Sequence, residues 1–221
     1  MLTFLYKQLL FGHNQIQGGV MDFNESQTKV NLAKSFAAEC QAGARYQFMA
    51  TQAQMEGLVY VKDTMKMIAK NEMAHAKLFY DYIIEKSGEC VVDLKADYPY
   101  VEPSLESSLC AEMQIEQEEF EEVYPEFARV AKEEGFKDIA ESFDLVAKVE
   151  KTHANILKII CNGYKKNNLY KSKSKRILKC SNCGHLAEQA DGWQECPLCS
   201  LEQGYITLDF TEAFESALKE A

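Results

Sequence analysis

Glutamate stands three residues before histidine twice in this chain, at Glu72 and His75 and again at Glu150 and His153, and each pair follows a single glutamate at nearly the same interval. Glu39 precedes Glu72 by 33 residues and Glu116 precedes Glu150 by 34, which is an internal repeat of a helix pair. Three residues along an α-helix bring two side chains onto one face, so each pair can grip one ligand from one side. Those faces are apolar. Glu72 shares helical spacing with Met65, Ile68 and Phe79, Glu150 with Phe143, Val146 and Leu157, Glu39 with Leu32, Phe36 and Tyr46, and Glu116 with Leu109, Phe120 and Val123.

A single inward glutamate is more often a snorkelling or hydrogen-bonded residue than a ligand. Glu39, Glu72, Glu116, Glu119 and Glu150 together are different, because repulsion and desolvation forbid so much negative charge in one apolar interior without cations among the carboxylates. Carboxylate oxygen with imidazole suits iron or manganese. One glutamate from each of two helices, with Glu-x-x-His from each of the other two, is the arrangement of di-iron carboxylate bundles.

The rest of the chain supports a bundle. From about Gln27 to Tyr164 it is rich in helix formers, and the spacing predicts helices near 27–55, 58–86, 104–134 and 136–164, punctuated by Gly57, Ser87-Gly88 and Gly135. The segment Val91 to Pro103 reads as a long crossover, which together with four helices matches a ferritin-like fold. Pro125 should kink the third helix or divide it. The fold class expected is mainly α: a ferritin-like four-helix bundle over 21–165, a basic linker over 166–176, and a small β-rich metal-knuckle domain over 177–221 ending in a short helix. Residues 1–20 form an N-terminal extension of unknown role. With 221 residues, 47% of them hydrophobic, the chain can build one full-sized core and one small module.

Cys180-x-x-Cys183 and Cys196-x-x-Cys199, twelve residues apart, can form two knuckles around a tetrahedral metal, either zinc or iron. The bundle tips the choice toward iron, because a di-iron site that turns over needs an electron source and zinc is redox-silent. Trp193, Tyr205 and Ile206 are expected to pack over the knuckles. Cys40, Cys90, Cys110 and Cys161 are scattered singly, which is no disulfide framework, and with a poor secretory signal in Met1 to Val20 this points to the reducing cytoplasm. A net charge of −10 argues against nucleic acid or an anionic membrane as partner, and no apolar stretch is long enough to span a bilayer. Seven cations nevertheless crowd into 165–179, a run that usually marks a solvated linker and only occasionally a docking patch.

Taken together the chain resembles the rubrerythrin family, in which a ferritin-like di-iron bundle precedes a rubredoxin-like iron domain. The motifs that carry the resemblance are Glu39 within Ala-Glu-Cys-Gln-Ala-Gly-Ala-Arg-Tyr, Glu72-Met-Ala-His75, Glu116-Gln-Glu-Glu119 followed by Val-Tyr-Pro-Glu-Phe, Glu150-Lys-Thr-His153 and the four paired cysteines. The resemblance runs from about Met21 to the end and implies two irons bridged by Glu72 and Glu150, with Glu39, Glu116, Glu119, His75 and His153 completing their shells. It implies that Glu119 exchanges with histidine on one iron, and that Tyr46 and Tyr124 hydrogen-bond to ligand carboxylates. The chain departs from the family in its first twenty residues and in Cys40, where serine is more usual.

The function expected is a cytoplasmic non-haem peroxidase that reduces hydrogen peroxide to water. The cofactors are two bridged irons and one iron held by Cys180, Cys183, Cys196 and Cys199. The resemblance adds electrons from NADH through a separate reductase or rubredoxin, and a homodimer or higher oligomer. A ferroxidase or iron-storage protein of the ferritin kind is the alternative, disfavoured by Glu119 and the cysteine module. A zinc-ribbon binding protein is a third, which requires the repeat of glutamates to be accidental.

Overall fold

The structure, a computed structural model, describes residues 21–102 and 104–218. The extension over 1–20 and the last three residues of the expected terminal helix lie outside the described residues. Among the described residues the chain is mainly helical, with a ferritin-like bundle, one two-stranded sheet and a four-cysteine cluster near its end. The helices are α1 (Gln27–Met55), α2 (Val59–Ser87), α3 (Leu105–Glu118), α4 (Tyr124–Glu133), α5 (Lys137–Lys165) and α6 (Thr211–Leu218), and the strands are β1 (Lys171–Lys179) and β2 (Leu186–Asp191).

α1 begins at a built cap. The Ser26 hydroxyl accepts from the Lys29 amide at 3.1 Å, and the distant carboxylate of Glu134 accepts from the Gln27 and Thr28 amides at 2.9 and 2.8 Å. These bonds satisfy amides that a helix start leaves without partners, and they put negative charge at the positive end of the helix dipole. α1 ends at Gly57, whose φ of 72° lets the Leu58 amide turn back to the Ala53 carbonyl at 2.8 Å. The segment between α2 and α3 has no regular structure, as a crossover should. Val92 and Leu94 tack it to the core, and the Tyr98 hydroxyl reaches the Lys34 carbonyl at 3.4 Å.

The chain forms two compact units. One comprises residues up to Gly43 with 70–100 and 114–151. Its core is aromatic: Phe79 and Phe143 each lie 5.9 Å from the Tyr124 ring, and Phe127 meets Phe143 at 5.6 Å. Leu32, Ile139 and Val146 close the cluster, and each buried side chain of this size contributes on the order of 1.5–3 kcal/mol. The other unit comprises 44–69, 101–113 and the chain from Thr152 onward. Within it Tyr60 stacks on Phe210 at 6.3 Å, and a Cβ on Gly204 would stand 1.7 Å from the Gly57 carbonyl oxygen, so only glycine fits there.

The third helix is divided, one of the two outcomes expected of Pro125: α3 passes through a π-helical turn over Glu119–Val123 into α4, with Pro125 in the first turn of α4. Two expectations are corrected. The basic linker shrinks, because the strand β1 begins at Lys171 inside the span 166–176. Cys110 and Cys161 are not independent thiols: they are joined as a disulfide between α3 and α5, with Cα atoms 5.8 Å apart. Residues 51 apart in sequence meet only because the helices are neighbours, a fact no spacing rule contains. Cys40 and Cys90 remain free.

Candidate metal centres

Four helical faces bring the glutamates and histidines together. Glu39, Glu72, His75 and Glu150 each place one ligand atom within 4.8 Å of the others, and so do Glu72, Glu116, Glu150 and His153. The two groups share Glu72 and Glu150, one from α2 and one from α5. Two carboxylates common to two donor sets are what a pair of adjacent cations needs as bridges. His75 Nδ1 lies 3.0 Å from Glu150, 3.5 Å from Glu72 and 3.6 Å from Glu39.

The electrostatics show how hard this cluster is to keep without cations. Burial, then the neighbouring Glu72 charge, pushes the Glu39 carboxyl up to about 8. Burial and the charges of Glu116, Glu39, Glu150 and Glu72 hold Glu119 well above the usual carboxylate range. His75 shows the opposite response. Burial alone would lower it, but hydrogen bonds to Glu150, Glu39 and Glu72 push it up to about 12. The protein without metal therefore favours protons at Glu39, Glu119 and His75, where a metal-bound site would hold divalent cations. Hard oxygen donors with imidazole fit iron or manganese at this position.

Glu119 belongs to neither four-residue group. It is buried at the start of the π turn, beside both. Such turns insert one residue into a helix and recur at functional sites. The Tyr124 hydroxyl donates to Glu39 Oε1, and Tyr46 is fully buried on α1 two turns beyond Glu39. Cys40, half-buried beside Glu39, has its thiol pushed up by burial and then by the Glu39 charge.

Arg45 and Glu112 were not singled out by the sequence. Arg45 donates through Nε and Nη2 to the two oxygens of the buried Glu112, at 2.5 and 3.0 Å. Glu112 lies one turn before Glu116 on the same helix, so the inward stripe of α3 holds both an ion-paired glutamate and a candidate ligand.

Cys180, Cys183, Cys196 and Cys199 form a second cluster. Cys180 Sγ is 3.8 Å from Cys199 Sγ, and Cys183 Sγ is 3.6 Å from Cys196 Sγ. A tetrahedron with metal–sulfur bonds of about 2.3 Å has edges of about 3.8 Å, so both of these pairs stand at the spacing of a tetrahedral site. The knuckle amides point at sulfur: the Leu201 amide pulls Cys199 down to about 7. Ile206 is fully buried and bridges to Cys180, and Trp193 packs 5.4 Å from the His185 ring.

Comparison with known proteins agrees with this geometry. A family model described as rubrerythrin matches residues 30–160. The chain belongs to the rubrerythrin family. It is 34% identical over 190 residues to rubrerythrin of Clostridium perfringens, covering 86% of this chain and 97% of that one. It is 29% identical over 184 residues to rubrerythrin of Nitratidesulfovibrio vulgaris, covering 83% of this chain and 94% of that one. Among solved structures, nigerythrin in a mixed-valence state superposes with a TM-score of 0.55 at 22% identity, covering 89% of this chain and all of that one. Symerythrin from Cyanophora paradoxa, reduced with dithionite, superposes at 0.53 and 22%, covering 70% and 98%. Membership of the rubrerythrin family makes this chain a di-iron protein of oxidative-stress defence and an oxidoreductase by kinship. No helix among the described residues is long and apolar enough to cross a membrane.

Proposed function

We propose that the protein is a non-haem di-iron peroxidase, reducing hydrogen peroxide to water with electrons delivered through an iron held by Cys180, Cys183, Cys196 and Cys199. The observation that carries this reading is the sharing of Glu72 and Glu150 by two donor groups, in a chain that also sets two pairs of thiols at tetrahedral spacing. Two irons bound by those groups would supply the two electrons that peroxide needs to become two waters. Glu39, Glu72, His75 and Glu150 would hold one of the metals and Glu72, Glu116, Glu150 and His153 the other. The Tyr124 hydroxyl holds Glu39 and keeps a proton at its own oxygen, because burial and the surrounding carboxylates push the phenol well above its usual range. Glu119, buried beside the cluster in the π turn, would offer a further carboxylate to the metals. The reading brings with it an electron-donor reductase or rubredoxin, NADH as the upstream reductant, a homodimer or higher oligomer, and work in the cytoplasm.

The test is stopped-flow mixing of chemically reduced, metal-loaded protein with hydrogen peroxide or with dioxygen. Peroxide should oxidise it at least about tenfold faster, a difference of about 1.4 kcal/mol in barrier. Cys183→Ser should keep that first oxidation yet abolish steady-state turnover. Equal rates with the two oxidants, or iron accumulating as mineral, would overturn the reading.

A further inference from the structure

Lys165 ends α5 and Lys166 follows it, and Lys171, Lys173, Lys175, Arg176 and Lys179 lie on β1, with no carboxylate anywhere between 165 and 179. All six lysines are exposed, on a chain whose total charge is −10. The strand is not regular. Its pairing with β2 passes from Lys171 opposite Asp191 to Arg176 opposite Gln189, so 172–175 form an unpaired bulge that holds the exposed Lys173 and Lys175. Opposing charge nearby is sparse: Asp191 across from Lys171, Glu188 across from Ile177, and Asp209.

Beside the strand lies a recess of about 250 Å³, lined among others by Asn162, Lys166, Asn168, Lys171, Arg176 and Asp209. Arg176 Nη2 donates to the Leu169 carbonyl at 3.4 Å, but its Nε is buried with no hydrogen-bond partner. Lysines on an edge strand can serve simply to prevent strand-to-strand aggregation. That role needs neither a recess nor a guanidinium donor left open inside it, whereas an incoming carboxylate or other oxyanion would complete Arg176. The strand runs directly into Cys180, the first of the four thiols, so whatever binds β1 is held beside that cluster.

We propose that β1 and its recess are the docking face for an acidic one-electron carrier protein, whose surface carboxylates meet Lys171, Lys173 and Lys175 while one of them enters the recess and accepts from Arg176 Nε. This rests on the reading of the four-cysteine site as an iron electron acceptor. The step it serves is the passage of one electron from the carrier's reduced centre to the oxidised iron, with no bond made and no proton moved. Attraction between opposite charges accelerates such encounters and weakens as salt screens it, with a Debye length of about 8 Å at 0.15 M.

The experiment titrates an acidic rubredoxin, oxidised, into the oxidised full-length protein by calorimetry, so that binding is read without turnover. The Kd should rise about tenfold or more between roughly 20 mM and 300 mM KCl. Lys173→Glu/Lys175→Glu should weaken low-salt binding by a similar factor, and Arg176→Gln should weaken it too. Lys66→Glu/Lys70→Glu, a change of equal charge at exposed sites on α2, should have much less effect. Absent binding at low salt, a salt-insensitive Kd, or equal weakening by the α2 control would overturn the proposal. So would a shift in the protein's own sedimentation on β1 charge reversal without any rubredoxin binding, which would assign the face to a second copy of this chain. Salt-dependent docking in a protein that fails the peroxide test would leave this proposal standing and remove the peroxidase reading alone.

Discussion

Tyr170 and Tyr124 are both buried phenols, and their surroundings give them different consequences. Tyr124 donates to Glu39, whereas the Tyr170 hydroxyl has no hydrogen-bond partner. Burying a hydroxyl without compensation costs on the order of 1–3 kcal/mol, so Tyr170→Phe should stabilise the protein by about 1 kcal/mol, or roughly 2–4 °C in melting temperature for a chain of this size. Burial also pushes the Tyr170 phenol up to about 12. Because the folded-state value lies above the unfolded one, near 10, its contribution is intact below pH 10 and is lost as pH rises through 12. Thermal melts at pH 8, 10 and 12 should therefore show a shallower alkaline decline in Tyr170→Phe than in the parent, and identical pH profiles would refute this account. At the same scale, the glutamates of the bundle were legible because apolar spacing showed which side chains point inward. Spacing does not say what an inward carboxylate meets. Glu112 and Glu116 lie one turn apart on the same helix, yet one is paired with Arg45 and the other joins a candidate metal-ligand group, a distinction that exists only once α1 and α3 are side by side.

The elements themselves were easier to foresee than their joints. Long runs of helix formers ending at Gly57 and Gly135 gave boundaries close to those of α1, α2 and α5, since propensity and helix-ending glycines are local properties. The π turn at Glu119–Val123 was not legible: one inserted residue leaves the apolar periodicity nearly unchanged, and Pro125 signalled an interruption without its form. β1 escaped for a related reason, because alternating lysine and serine looks like solvated chain when no partner strand is in view. The disulfide between α3 and α5 is the joint with the clearest consequence. A cross-link between residues 51 apart removes on the order of 4 kcal/mol of unfolded-state entropy. Reduction should thus lower the denaturation midpoint measurably, and Cys110→Ala/Cys161→Ala should match the reduced parent and ignore reductant. A midpoint indifferent to dithiothreitol in the parent would show that the cross-link contributes nothing.

For the molecule as a whole, the bundle core and the carboxylate cluster pull in opposite directions. Phe79, Phe143, Ile139 and their neighbours stabilise the fold by leaving water, while Glu39, Glu72, Glu116, Glu119 and Glu150 are dehydrated by the same packing. Bound cations reconcile the two. At a free metal concentration a thousandfold above Kd, binding adds about 4 kcal/mol, which corresponds to roughly 8–16 °C for a chain of this length. Chelation should remove that increment. Glu150→Gln separates the ligand role from a merely structural one. In the metal-free protein Glu150 faces the protonated His75 at 3.0 Å, so the amide should lower the melting temperature there by the equivalent of about 1–3 kcal/mol. Because the same carboxylate is common to both candidate donor groups, the amide should also nearly abolish the increment that added ferrous iron or manganese produces. Differential scanning calorimetry of parent and variant, each with chelator and with metal, gives the four values required. A variant that keeps the full metal increment would show that Glu150 is a packing residue and that the cluster does not depend on it.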